Sequence, residues 1–177
     1  MLTHQKWCEQ TCSRFNERGI SERTLVDVAN KIELVEDVAE MIDILVRHSI
    51  ELHILSGSIE QIIRLVLGEL YSQFTHVQPN AFRFTGSKLS YIQGTKYDFE
   101  GKPLYIDELR AIKKYHPTDI LFVGNSSNDR WVSRSGATTL CVNPHFTDGN
   151  DEKEWNHCIR EMDSALEILK YVRLSDD

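Results

Sequence analysis

The chain has 177 residues, 41% of them hydrophobic, with 20 Lys+Arg against 27 Asp+Glu and a formal charge of −7. That is enough apolar material to bury a real core in one domain, or one domain with a small insert. The acidic balance, with no block of basic residues, excludes nucleic acid as a general partner, while a locally positive pocket for a small anion stays compatible with it. No apolar stretch approaches the roughly 20 residues of a membrane span, and the N-terminus lacks the apolar core of a signal peptide. Cys8, Cys12, Cys141 and Cys158 form no CxxC pair. The expectation is a cytoplasmic protein with reduced thiols and no membrane partner. Cys8 and Cys12, four apart, can join His4 in a metal set, but thiolate sites take four ligands at tight loop spacing. A packed helix face is the expected use.

In chain order, "THQKWCEQTCSRFNERG" predicts a helix stopped at Gly19, and Ser21 with Glu22 opens a second through "RTLVDVANKIE". "VEDVAEMIDILVRHS" spaces Val38, Met41, Ile42, Leu45 and Val46 for a third helix. "IELHIL" reads as a short buried strand ending at Ser56-Gly57-Ser58, before the helix "IEQIIRLVLGELY". "FTHVQ", "AFRFT" and "KLSYIQ" are short strand segments, the last two flanking a hairpin turn at Gly86-Ser87. Gly101 and Lys102 precede the helix "LYIDELRAIKKYH", closed by Pro117. "DILFV" and "TTLCV" read as strands around a short helix over residues 127–135, and "DEKEWNHCIREMDSALEILKYV" as a long amphipathic C-terminal helix. Strands alternating with helices from residue 35 onward imply an α/β fold: a parallel sheet with helices on both faces and one β-hairpin excursion. Residues 1–34 form a separate helical portion, and residues 35–177 the α/β core.

Three strand-to-helix regions carry polar groups suited to a phosphate. Ser56, Gly57 and Ser58 offer a hydroxyl and backbone N–H groups near a helix N-terminus. Lys102 supplies a positive charge. Asn125 and Asp129, with the Ser126 and Ser127 hydroxyls nearby, offer oxygen ligands to a divalent cation. Each has a plainer use: Ser56 as a helix cap, Lys102 as a solvated lysine, and the Asn125–Asp129 segment as a turn capping the next helix.

Taken together, "ELVEDVAEMIDILVRHSIELHILSGS", "YDFEGK" and "ILFVGNSSNDRWVSRSGATTLCVNP", within residues 20–146, resemble the haloacid dehalogenase (HAD) superfamily of phosphohydrolases, in its phosphoserine-phosphatase-like branch. The resemblance implies a doubly wound α/β core, a small helical cap, and Mg²⁺-assisted phosphoryl transfer to an aspartate. Carried over by residue, Ser56 would hydrogen-bond a phosphoryl oxygen, Lys102 would neutralise the phosphate and the nucleophile, and Asp129 is the second acid of the metal-binding motif. Asn125 stands where that motif's first acid belongs, which removes a negative charge from the ion's surroundings.

Nothing before Ser56 matches the family's first motif, an apolar strand ending in Asp-x-Asp-x-Thr that supplies nucleophile and general acid. Asp98 in "YDFEGK" echoes it, but "SYIQGTK" before it is no buried strand, and Lys102 after it fits the third motif better. The first core strand is therefore expected to be absent, between "IELHIL" and "DILFV". Three readings stay open. The chain is a HAD-like phosphatase for a small phosphorylated metabolite, inactive as given because it is a truncated or degenerate form. It is a non-catalytic anion-binding or regulatory module. Or it is a fragment completed by another chain or by self-association.

Overall fold

The structure, a computed structural model, describes residues 4–145 and 151–174. The chain forms two compact units, Met1–Leu34 with Glu51–Lys96, and Val35–Ile50 with Tyr97–Asp177. The path changes unit after residues 34, 50 and 96, so that residues 51–96, read from the sequence as part of the core, belong to the same unit as residues 1–34.

In the first unit α1 (His4–Glu17) and α2 (Glu22–Ala29) are the two expected helices, and α2 opens on a capping box between Ser21 and Thr24. Cys8 and Cys12 are buried in one cluster with Leu25, Phe82, Leu89 and Ile92. This is the packed helix face. The His4 side chain lies outside the described residues. β1 (His53–Ile59) leads into α4 (Glu60–Leu67). The segments "FTHVQ" and "AFRFT" are one strand, β2 (His76–Thr85), which pairs parallel with β1 over its first half and antiparallel with β3 (Lys88–Gln93) over its second. Pro79, with no N–H to donate, falls at the register shift of the β1 pairing, between Gln78 and Asn80. The Gly86-Ser87 hairpin turn forms as expected, with Gly86 at φ 59°.

Asn80 is 1% exposed. Its Nδ2 donates to the Gly57 carbonyl at 2.8 Å and its Oδ1 accepts the Thr95 N–H at 2.9 Å, which ties β1 to the chain leaving β3.

The second unit holds α3 (Val38–Arg47), α5 (Lys102–Lys113) and an all-parallel sheet in the order β4 (Leu121–Gly124), β5 (Thr138–Val142), β6 (His157–Ile159). Residues 130–135 form a 3₁₀ turn rather than an α-helix, and Val132 on it packs with Ile106 of α5 and Ala137. The expected single sheet is two three-stranded sheets, one per unit, with β1 at one edge of its sheet and β4 at one edge of the other.

The long C-terminal helix is absent: its residues form a 3₁₀ turn at Asp151–Glu154, then β6, then a second 3₁₀ turn at Ala165–Tyr171. Helical spacing of Trp155, Ile159, Met162, Leu166 and Leu169 loses to two stronger demands. The edge of β5 needs a hydrogen-bonding strand, which β6 supplies. Ser164 leaves helical geometry to cap, accepting the Leu166 N–H at 3.2 Å and donating to Asp37 at 2.5 Å.

Asn80→Ala removes the two buried bonds to the Gly57 carbonyl and the Thr95 N–H, at a cost of about 1–3 kcal/mol. The expected outcome is a lower urea midpoint with an unchanged slope; wild-type stability in the variant would show that these two bonds do not hold β1 in place.

Candidate functional site

The apolar run Ile120–Val123 builds β4, and the chain turns at its carboxyl end through Asn125–Asp129. Asp129 folds back over that turn. Its Oδ2 accepts the backbone N–H groups of Asn125 and Ser126, each at 3.1 Å, and the Ser126 hydroxyl at 3.0 Å. Its Oδ1 accepts the ammonium of Lys102 in a short ion pair whose two side chains are each 7% exposed.

Gly124 makes this closure possible. A Cβ there would stand 2.7 Å from Asp129 Oδ2, 2.8 Å from its Cγ and 2.9 Å from Phe122 Cε1, closer than real atoms approach.

Lys102 is the first residue of α5, where the helix dipole disfavours a cation. Two features offset that. Asp129 cancels the charge directly, and the ammonium lies 5.7 Å from the centre of the Phe122 ring, within cation–π range. Lys102 is delivered by a 3₁₀ turn, Phe99–Gly101, on which Asp98 accepts the Phe99 N–H at 2.8 Å. Phe99 sits at φ 47°, a left-handed backbone that costs a non-glycine residue about 1–2 kcal/mol. Asp98 is thus a cap at a turn, and β3, the strand before it, ends at Gln93.

Of the residues singled out in the sequence, Lys102, Asn125 and Asp129 come together. Asn125 takes part through its backbone, donating its N–H to Asp129 and accepting the His145 N–H at 2.9 Å; the residue itself is exposed. Ser56, Gly57 and Ser58 lie in the other unit. They close β1 ahead of the helix rather than cap it, since the residue before α4 is Ile59. Ser56 Oγ accepts the Ser58 N–H at 3.0 Å, so that donor is already engaged. Sequence reading missed Gly124 and Phe122. The signal for the first was a glycine at the strand end five residues before an acid.

The sequence matches no family model and no curated protein. Solved structures do match. The chain is similar to a phosphoserine phosphatase in apo form (TM-score 0.73, 16% identity, 95% of this chain and 84% of that one). It is similar also to a phospho-aspartyl intermediate analogue of phosphoserine phosphatase (TM-score 0.72, 16% identity, 88% and 72%). A third is a HAD family hydrolase from Salmonella enterica subsp. enterica serovar Typhi (TM-score 0.71, 14% identity, 90% and 53%). The chain has the HAD-like fold.

The residues present do not fit a Mg²⁺ ion. Mg²⁺ requires carboxylate or other oxygen ligands in near-octahedral order. Both oxygens of Asp129 are engaged by hydrogen-bond donors, and Lys102 cancels its charge. Asn125 contributes no charge, and no group of three His, Cys, Asp or Glu able to hold a metal occurs among the described residues. Of the metal pair expected from the sequence, Asn125 takes part in the turn through its backbone and Asp129 accepts the buried lysine.

Because removing one partner strands the other charge in the core, Lys102→Met or Asp129→Leu alone is expected to cost about 3–5 kcal/mol, and the double variant much less. Thermal unfolding of all four proteins reads this as a non-additive cycle. Additive losses would mean that the two groups do not act as a pair.

Proposed function

We propose that this chain is a phosphatase-type HAD homologue that binds a small phosphorylated molecule, or phosphate, and does not hydrolyse it alone. The observation that carries the reading is the engagement of Asp129. A carboxylate with one oxygen on a buried ammonium and the other on three donors is a structural acceptor, and neither oxygen is available to attack phosphorus. Hydrolysis needs both a nucleophile and a group that protonates the leaving oxygen. Among the described residues, no strand ends in an aspartate placed for either role, and Asp98 is spent on a turn.

The fold similarity to phosphoserine phosphatases supports the phosphoryl class of ligand. Within this unit Lys102 is the cation that such a ligand would engage, in exchange for its bond to Asp129; Ser56 offers a hydroxyl in the other unit.

Incubation of the chain with p-nitrophenyl phosphate and Mg²⁺ should release no nitrophenol above the buffer rate. Release that disappears in Lys102→Met, with that variant still folded by circular dichroism, would overturn the reading and return hydrolysis to this chain.

A second reading rests on β4. It stands at the edge of an all-parallel sheet although its sequence, Ile120-Leu121-Phe122-Val123, is a continuous apolar run. Such runs belong to strands covered on both faces, as in the interior of a parallel sheet, and an open edge strand is a template for strand addition. In this reading a further strand, from another chain or a second copy, completes the sheet at β4. Sedimentation over a concentration series should show association; a monomer at all concentrations, with Leu121–Val123 amides protected from exchange, would count against it.

A further inference from the structure

The two cysteines the proposed function does not use, Cys141 and Cys158, are register partners on neighbouring parallel strands. Cys141 of β5 pairs with Cys158 of β6, between the pairs Leu140–His157 and Val142–Ile159. Partners in register project to the same face of a sheet. Adjacent strands run about 4.7–4.9 Å apart, inside the Cα separation of about 4.4–6.8 Å that a disulfide spans. All four cysteines of the chain stand as thiols.

Two side-chain clamps fix that register on either side of the pair. Before it, Asn156 Oδ1 accepts the Thr139 N–H at 2.8 Å and the Thr139 hydroxyl lies 3.0 Å from the Asn156 N–H it accepts. After it, Asn143 Oδ1 accepts the Met162 N–H at 2.7 Å and the Asn143 N–H donates to the Ile159 carbonyl at 2.9 Å. Asn143 is held at φ 45°, a left-handed conformation that asparagine tolerates better than most residues. A slip of one residue, which would turn the two thiols to opposite faces, would break both clamps.

We propose that Cys141 and Cys158 form a reversible redox clip that fastens the edge strand β6 to β5. Cys158 is partly exposed and Cys141 is 0% exposed, which sets the order of events. The Cys158 thiolate attacks one sulfur of a low-molecular-weight disulfide such as oxidised glutathione, forming a mixed disulfide and releasing one thiol. The Cys141 thiolate then attacks the Cys158 sulfur and expels the second thiol. Two protein thiols become one disulfide, and their two protons leave on the two released thiols, so electrons and atoms balance. The clip joins β5 to the segment that runs on through Ser164 and Ala165 to the Glu36 and Asp37 backbone and side chain. Cys8 and Cys12 are unsuited to the same role: they are four apart on one helix, both buried, and burial pushes the Cys12 thiol above its ordinary value, away from the reactive thiolate.

The test uses the full chain treated with oxidised glutathione and then digested with trypsin. The expected product is a link between the peptides 135–153 and 154–160, the loss of two of the four titratable thiols, and a higher melting temperature that reverts on reduction. In Cys141→Ser, Cys158 should instead stop at a stable glutathione adduct. A folded wild-type chain that keeps four thiols, links Cys8 or Cys12 first, or retains the adduct at Cys158 as Cys141→Ser does would overturn the clip. Because a serine at position 141 puts a hydroxyl in the core, the wild-type peptide map decides the question without the variant.

Discussion

The Lys102–Asp129 ion pair is the constraint on which the second unit depends. Two opposite charges are withdrawn from water together, and each is tolerable only because the other is there. Asp129 cannot reach the ammonium unless the chain between β4 and the following 3₁₀ turn folds tightly over it, and that fold requires Gly124 to lack a side chain. Lys102 cannot reach Asp129 unless α5 begins where it does, and that start is set by the Asp98 cap and the left-handed Phe99. A strand end, a helix start and a strained turn are therefore solved as one problem.

The same arrangement decides what the loop can do. A loop rich in oxygen atoms at the carboxyl end of a parallel strand is the usual place for a ligand in an open α/β sheet, but oxygen count is not ligand capacity. Asp129 Oδ2 already faces three donors and Oδ1 faces a full positive charge. A cation arriving there must displace a buried lysine, and an anion must take the N–H groups, the hydroxyl and the lysine from Asp129. The charges and donors of the loop are thus balanced within the loop itself.

Much of the fold was legible in the sequence because its signals are local. The Gly86-Ser87 hairpin, the Ser21 cap, the apolar run before Gly124 and the helix after Lys102 each follow from a few adjacent residues. The pairing of Lys102 with Asp129 was not legible from spacing, since nothing in either segment measures the distance between them; family resemblance marked both residues, but for a different task at Asp129. The C-terminal segment was misread for a related reason. Its helical period is real, yet the period says nothing of an unpaired edge on β5 or of Asn143 and Asn156 reaching across to hold a strand in register. Long-range demand overrode local pattern wherever a buried backbone edge needed a partner.

That demand also explains why β6 and β4, the two edges of one sheet, have opposite characters. β6 is three residues long, begins with exposed His157, and is held by side-chain clamps rather than by length. It is a short, guarded edge, of the kind that discourages further pairing. β4 has no such guard: its residues are apolar throughout, and Val123 alone reaches 36% exposure. An edge of that composition is stable in water only while its hydrogen-bonding groups are hydrated and its apolar side chains are covered from the faces of the sheet. The sheet thus has a short, clamped edge at β6 and an apolar edge at β4, and the loop that carries Asn125 and Asp129 follows the apolar one.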